Sequence, residues 1–421
     1  AIEGSVPVLH FFDGWRTSSE MDTIDVIDYE EIRPLVNWSK VEAFRRSAMN
    51  PEHPQLRGSA QNPDVFFQNR EAANPYYDAF PGIVQQSMDK VSVLTGRPYH
   101  LVDYSGAPDA DRVIVAMGSA ADVVSETVEY LNRERGYKTG VVKVRLYRPF
   151  PVGAFRKAIP DTVQTIAVLD RTKEPGAQFE PLCLDVISAL AGTPKASACV
   201  IGGRYGISSK EFNPSMVKAV FDEMARETPR QHFTVGINDD VTHLSLAINE
   251  IVETNVASQT YQSIFYGIGN DGTVGGTKQV ANIIGNTPGV YAQAYFSYSA
   301  KKSGGYTISQ LRIGHAPVAS AYSIDEADYV GCHKTSYVNR FDMVSKLRSG
   351  GVFVLNCPWK PEQLPSRLPL TMRKLISERR VKFYTVDADR IAAECGMGPR
   401  VNMIMEAIFL QLSDLLPPKT S

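Results

Sequence analysis

The chain has 421 residues, 43% of them hydrophobic and 21% charged, with a formal net charge of -2 at pH 7. At about 100–200 residues per domain this length predicts several domains, and the near-neutral balance excludes a disordered chain or a surface built to recruit nucleic acid. The longest apolar runs, such as Val352 to Leu355 and Arg112 to Gly118, are far shorter than the roughly 20 residues of a membrane span, so a soluble protein with no membrane partner is expected.

In chain order, Ala1 to Leu9 lacks a basic n-region and a starting Met, and reads as a cut end, not as a signal or transit peptide. The apolar run Val6 to Phe12 predicts a buried strand, after which Asp13, Arg16, Thr17 and Glu20 form a packing turn. "MNPEHPQLRGSAQNPDVFFQNREAANPYY" carries four prolines and predicts a long loop until a helical pattern resumes at Ile83 to Thr95. "ADRVIVAMGS" then predicts a buried strand that leads into a helix over Ala120 to Glu134. Strands at Lys138 to Leu146, Gln164 to Leu169 and Ala198 to Ile201, with helices between, imply a parallel sheet.

The pattern weakens around Pro229 to Val256, which predicts a linker, with "GINDDVTHLSL" a helix start capped by Asp240 or Thr242. It restarts with strands at Gln262 to Gly267, Gly289 to Ser297, Tyr329 to Cys332, Gly351 to Asn356 and Lys382 to Val386. Helices are expected at Thr277 to Gly285 and at Asn402 to Leu415.

The candidate site lies in "FYGIGNDGTVGGTKQVANIIG", where Gly267, Gly269 and Gly272 form G-x-G-x-x-G between a strand and a helix. In that setting backbone N–H groups and a helix N-terminus face an anion. A dinucleotide site also expects an acidic residue at the end of the next strand, and that strand instead delivers Lys301, Lys302 and Ser303. Two cations there favour a ligand with a phosphorylated ribose, which fits both NADP and coenzyme A. Lys278 follows Thr277 and not a glycine, so the loop is not a Walker A and nucleotide hydrolysis is disfavoured. Asn356, at a strand's carboxyl end, stands either as a ligand contact or as a strand-end cap.

Other chemistry finds no support: there is no H-E-x-x-H, no G-x-S-x-G and no histidine cluster. The five cysteines are scattered without C-x-x-C spacing and read as reduced thiols, so this chain alone is not expected to hold an iron–sulfur cluster. A reducing compartment follows, the cytoplasm or a mitochondrion-related organelle.

"HFFDGWRTS", "RGSAQNPDVFFQNREAANPYY", "LDRTKEPGA", "GRYGISSKEF", "GIGNDGTVGGTKQ", "YFSYSAKKSGGYTISQLRIG" and "LNCPW" together resemble pyruvate:ferredoxin (flavodoxin) oxidoreductase over essentially the whole chain. The resemblance implies a multidomain α/β protein. Residues 1–104 would be the end of a pyrimidine-binding-type domain, 105–255 a transketolase-C-terminal-like domain, and 256–421 a Rossmann-like domain similar to the gamma subunit of multi-subunit relatives. Such enzymes convert pyruvate and coenzyme A into acetyl-CoA and carbon dioxide, reduce ferredoxin or flavodoxin, and use thiamine diphosphate with Mg and [4Fe-4S] clusters. Neither the G-D-G…N-N thiamine segment nor a C-x-x-C-x-x-C run is in this sequence, so the resemblance implies the middle of a homodimeric parent, inactive by itself and contributing no catalytic residue.

For coenzyme A the resemblance implies Gly267, Gly269, Asp271, Gly272, Thr273, Val274, Gly275, Lys278, Lys301, Lys302 and Ser303. Gly275-Gly276-Thr277-Lys278 stands where G-A-N-K is expected, and the added glycine is expected to loosen the backbone. The same domains also suit a fusion to a flavin reductase, giving pyruvate:NADP oxidoreductase or a sulfite reductase flavoprotein, or a non-catalytic scaffold.

Overall fold

The computed structural model describes residues 1–14, 16–56, 58–269, 271–299, 305–398 and 400–415. The first stretch of chain carries β1 (Glu20–Met21), α1 (Trp38–Arg46), α2 (Asn74–Thr95) and β2 (Val102–Gly106). Then come β3 (Arg112–Ala116), α3 (Ser119–Arg135), β4 (Thr139–Val144), β5 (Thr165–Asp170), α4 (Pro181–Leu190), β6 (Cys199–Arg204), α5 (Pro214–Met224) and β7 (His232–Thr234). The last part contains β8 (Thr260–Ile268), α6 (Thr273–Gly285), β9 (Tyr291–Tyr298), β10 (Tyr306–Gly314), β11 (Ala327–Cys332), β12 (Leu347–Asn356), β13 (Lys382–Val386), α7 (Ala388–Glu394) and α8 (Asn402–Ser413).

Two compact units result: Ala1–Phe12, Asp25–Lys210 and Met216–Asn249 in one, Asp13–Ile24, Glu211–Ser215 and Glu250–Ser421 in the other. In the first unit the strand order is β2-β4-β3-β5-β6-β7, parallel except for β2 against β4. Strands covered on both faces read as continuous apolar runs, and Val113, Ile114, Val115, Val142, Ile166 and Val168 are fully buried here. Burying each such side chain contributes about 1.5–3 kcal/mol. α3 ends where Gly136 takes the left-handed conformation, φ 66°, and its N–H bonds the Leu131 carbonyl.

The second unit holds a seven-stranded sheet, order β1-β9-β10-β8-β11-β12-β13. From β8 to β13 it is parallel, and β8, β10, β9 and β1 pair antiparallel. The α/β alternation is thus mixed, and β10 was not anticipated. The reason is chemical: β10 buries Ser309 and Arg312, polar residues that the sequence presents as a surface. Arg312 is satisfied inside, Nε donating to Gln262 Oε1 at 3.0 Å, Nη1 to Gln293 Oε1 at 3.0 Å and Nη2 to the Tyr322 carbonyl at 2.9 Å.

Three further expectations are corrected. The run Val6 to Phe12 is not a strand, and Val8, Leu9, Phe11 and Phe12 are exposed. The proline-rich stretch contains α2 from Asn74, with a proline accepted in its first turn and Pro81 inside it. Asp239 starts no helix; its carboxylate accepts from the Val241 and Thr242 amides and closes a turn. Arg16 is buried in the second unit, its guanidinium 4.0 Å from the Tyr295 ring centroid and 3.0 Å from Glu20 Oε1.

Candidate functional site

β8 delivers the glycine loop at its carboxyl end, between β10 and β11. A side chain at Gly267 would run into Thr273 and lie 3.0 Å from Asp271 Oδ2, so the helix start closes onto the strand only because residue 267 is glycine. Asp271, 4% exposed, organises the turn from within. Its Oδ2 accepts from the Ile268 amide at 2.8 Å, and its Oδ1 from the Thr273 amide at 2.9 Å and hydroxyl at 2.6 Å. Gly272 then takes φ 86° as the N-cap of α6.

α6 begins at Thr273, four residues before the expected start, so Val274 and Gly275 lie in its first turn. The first three amides of a helix whose fourth bonds the N-cap carbonyl have no helical acceptor, and here Gly276 N donates to Gly272 O at 2.9 Å. Asp271 takes the Thr273 amide, and among the described residues outside the helix nothing accepts from the amides of Val274 and Gly275. Gly275 is exposed with no heavy atom within 4 Å of where a Cβ would stand. Lys278, one turn on, is exposed, its Nζ 5.4 Å from the Phe296 ring centroid. The Gly269 amide donates to the Gly305 carbonyl at 3.1 Å. Lys301, Lys302 and Ser303 lie outside the described residues.

The structure brings three side chains to this loop that motif reading did not assign to it. His333, just past β11, meets Thr273 Oγ1 through Nδ1 at 2.8 Å. That hydroxyl gives its proton to Asp271, so Nδ1 carries the imidazole proton and Nε2, buried and unpartnered, carries the lone pair. Burial pushes this imidazole down to about 4 and keeps it neutral.

Asn402 and Glu406, one turn apart on α8, face Gly272 and Gly276, one turn apart at the start of α6. A Cβ at Gly272 would lie 2.7 Å from the Asn402 side chain, and one at Gly276 would coincide with the Glu406 carboxyl. The second glycine therefore does not loosen the backbone: it is buried, and Glu406 fills the space. The signal in the sequence was a lone acid in the apolar run from Met405 to Leu412.

Asn356 belongs to the protein's own fabric. Its Nδ2 donates to the His333 carbonyl at 3.0 Å and to Asp389 Oδ2 at 2.8 Å, and its Oδ1 accepts from the Ala388 amide at 2.9 Å. Both ends of the amide are engaged, which is the strand-end cap and not a free ligand contact. Among the described residues no group of three or more His, Cys, Asp or Glu is arranged to hold a metal ion, and Cys183, Cys332 and Cys357 are buried as free thiols. These donors do not fit an iron–sulfur cluster or the Mg of thiamine diphosphate.

A glycine loop at the carboxyl end of a central strand, opening a helix whose first turn is exposed at Gly275, defines an α/β domain that presents a helix N-terminus. Family models agree along the chain: "Pyruvate ferredoxin/flavodoxin oxidoreductase" matches residues 262–421, "Pyruvate:ferredoxin oxidoreductase core domain II" 110–212, and "Pyruvate flavodoxin/ferredoxin oxidoreductase, thiamine diP-bdg" 1–89. The chain belongs to the pyruvate:ferredoxin/flavodoxin oxidoreductase family. It is 54% identical to the pyruvate:ferredoxin oxidoreductase of Moorella thermoacetica over 99% of its own length and 35% of that protein's. Identity to the pyruvate-flavodoxin oxidoreductase of Enterobacter agglomerans is 49%, over 99% of this chain and 35% of that one. With the pyruvate dehydrogenase [NADP(+)] of Cryptosporidium parvum identity is 46%, over 99% and 22%. The chain thus spans about a third, or less, of these relatives.

Proposed function

We propose that this chain is the central part of an enzyme that oxidatively decarboxylates pyruvate with coenzyme A, forming acetyl-CoA and carbon dioxide and reducing ferredoxin or flavodoxin. Its three parts, residues 1–104, 105–255 and 256–421, carry the end of the pyrimidine-side domain, a transketolase-C-terminal-like domain and a gamma-type domain. Thiamine diphosphate and the clusters sit on other parts of the parent homodimer, so the chain alone does not turn over pyruvate. Identity to pyruvate:ferredoxin and pyruvate-flavodoxin oxidoreductases along nearly the whole chain supports this reading. The NADP-linked relative is no more similar, and the electron acceptor is read by segments outside this one.

Within it, coenzyme A binds at the start of α6, its phosphates on the Val274 and Gly275 amides with Lys278 alongside, and Lys301, Lys302 and Ser303 on the 3′-phosphate. The observation that carries this is the exposed first turn at Gly275, where backbone approach is unobstructed. Coenzyme A and dephospho-coenzyme A titrated calorimetrically into the chain and into Gly275→Leu provide the test. The added side chain meets open space, so the variant folds with an unchanged melting temperature and loses at least about tenfold in affinity by blocking the ligand. Unchanged affinity in Gly275→Leu refutes the site.

A further inference from the structure

We infer that Glu406, buried behind the first turn of α6, acts as a protonic gate on that anion site: a neutral acid admits the anion, and its carboxylate opposes it. The inference rests on the anion site proposed above and adds its regulation.

The geometry is specific. Glu406 is 7% exposed, and its carboxyl occupies the space a side chain at Gly276 would need, directly behind the turn whose outward amides serve the ligand. Its Oε1 has no hydrogen-bond partner, and neither does the Oδ1 of Asn402 one turn away. An anion at Val274 and Gly275 and a carboxylate at Gly276 would share one helix N-terminus, whose partial positive charge stabilises either of them.

Among the described residues no cation faces Glu406 to hold it ionised. From the loop, Asp271 acts on it with like charge, and from past β11 His333 is buried neutral. On α6 itself, Lys278 is directed toward Phe296 of β9. From α7, Ala388 and Ala392 pack into the shared core, and Arg390 pairs with Glu394 at the surface. β11 presents Tyr329, whose phenol burial keeps protonated. Burial, opposed by Asn402 and reinforced by Asp271, pushes the Glu406 carboxyl up to about 7. The acid therefore changes charge in the physiological range, and by linkage, binding an anion draws a proton onto it.

The test titrates sulfate, whose charge is constant between pH about 6 and about 8, and coenzyme A into the folded chain and into Glu406→Gln. Wild-type affinity for sulfate falls about tenfold across that range, and the glutamine variant, fixed in the neutral form, stays flat. Calorimetry of the unmodified chain in two buffers of different ionisation enthalpy gives a second reading: net proton uptake on sulfate binding near pH 7. An equal pH dependence in both proteins, or sulfate binding without proton uptake, overturns the gate while leaving the anion site standing. No binding of either ligand at any pH overturns the site and the gate together.

Discussion

Replacing Asp271 with alanine removes the carboxylate around which the glycine loop turns. It is 4% exposed and accepts the Ile268 amide at 2.8 Å and the Thr273 amide and hydroxyl at 2.9 and 2.6 Å. A buried donor left without its acceptor costs about 1–3 kcal/mol. Thr273 is only 1% exposed, so its amide cannot be rehydrated, whereas Ile268 is half-buried and its amide is more easily reached by water. Taking the middle of the range for the Thr273 amide and the lower end for the other two donors gives about 4 kcal/mol for Asp271→Ala. Asparagine keeps one acceptor oxygen for Thr273 but turns an NH2 group toward the Ile268 N–H, so about half of that loss is expected for Asp271→Asn. Urea unfolding reads both, with a lowered midpoint at unchanged slope. A cost for alanine below about 0.5 kcal/mol, or an asparagine variant as unstable as alanine, would show that this carboxylate does not hold the loop.

Stability should also report the Glu406 acid. Its folded value is raised from 4.5 to about 7, so between those limits the native state keeps a proton that the unfolded chain has released, and stability present below pH 4.5 is lost as pH rises through about 7. At about 1.4 kcal/mol for each pH unit the upper bound is about 3 kcal/mol. Glu406→Gln is accordingly more stable than wild type at pH 8 and not at pH 4.5, read from thermal midpoints; an equal difference at both values contradicts it. Arg312→Met strips the donors from Gln262, Gln293 and the Tyr322 carbonyl and costs about 3–5 kcal/mol, whereas Arg312→Lys recovers only part, because an ammonium cannot span that fork. A loss of less than about 1 kcal/mol by calorimetric melting would mean that β10 does not depend on the network.

The alternation of strands and helices was legible in the sequence where burial is two-sided. Val113, Ile114 and Val115 or Ile166, Ala167 and Val168 have no polar face, and a run of that kind has few ways to fold other than as a central parallel strand. The glycine spacing before α6 was legible for a similar reason: backbone that must approach a neighbour or take a positive φ excludes a side chain, and that exclusion is written locally. Exposure defeated the same reasoning at Val6 to Phe12, where Val6 is buried but Val8, Leu9, Phe11 and Phe12 are exposed.

What each glycine is for was decided only by the tertiary structure. Gly267 admits Thr273, Gly272 faces Asn402 and Gly276 receives Glu406, whereas Gly275 stands open, so one short motif divides between self-packing and the proposed ligand. β10 escaped notice because its buried Arg312 is matched by Gln262 and Gln293 on other strands. A polar residue looks like surface until its partner is found, and these partners lie 50 and 19 residues away. Local sequence records what a backbone cannot tolerate. The pairing of buried polar groups is a property of the assembled sheet and helices, because only there do the donors and acceptors meet.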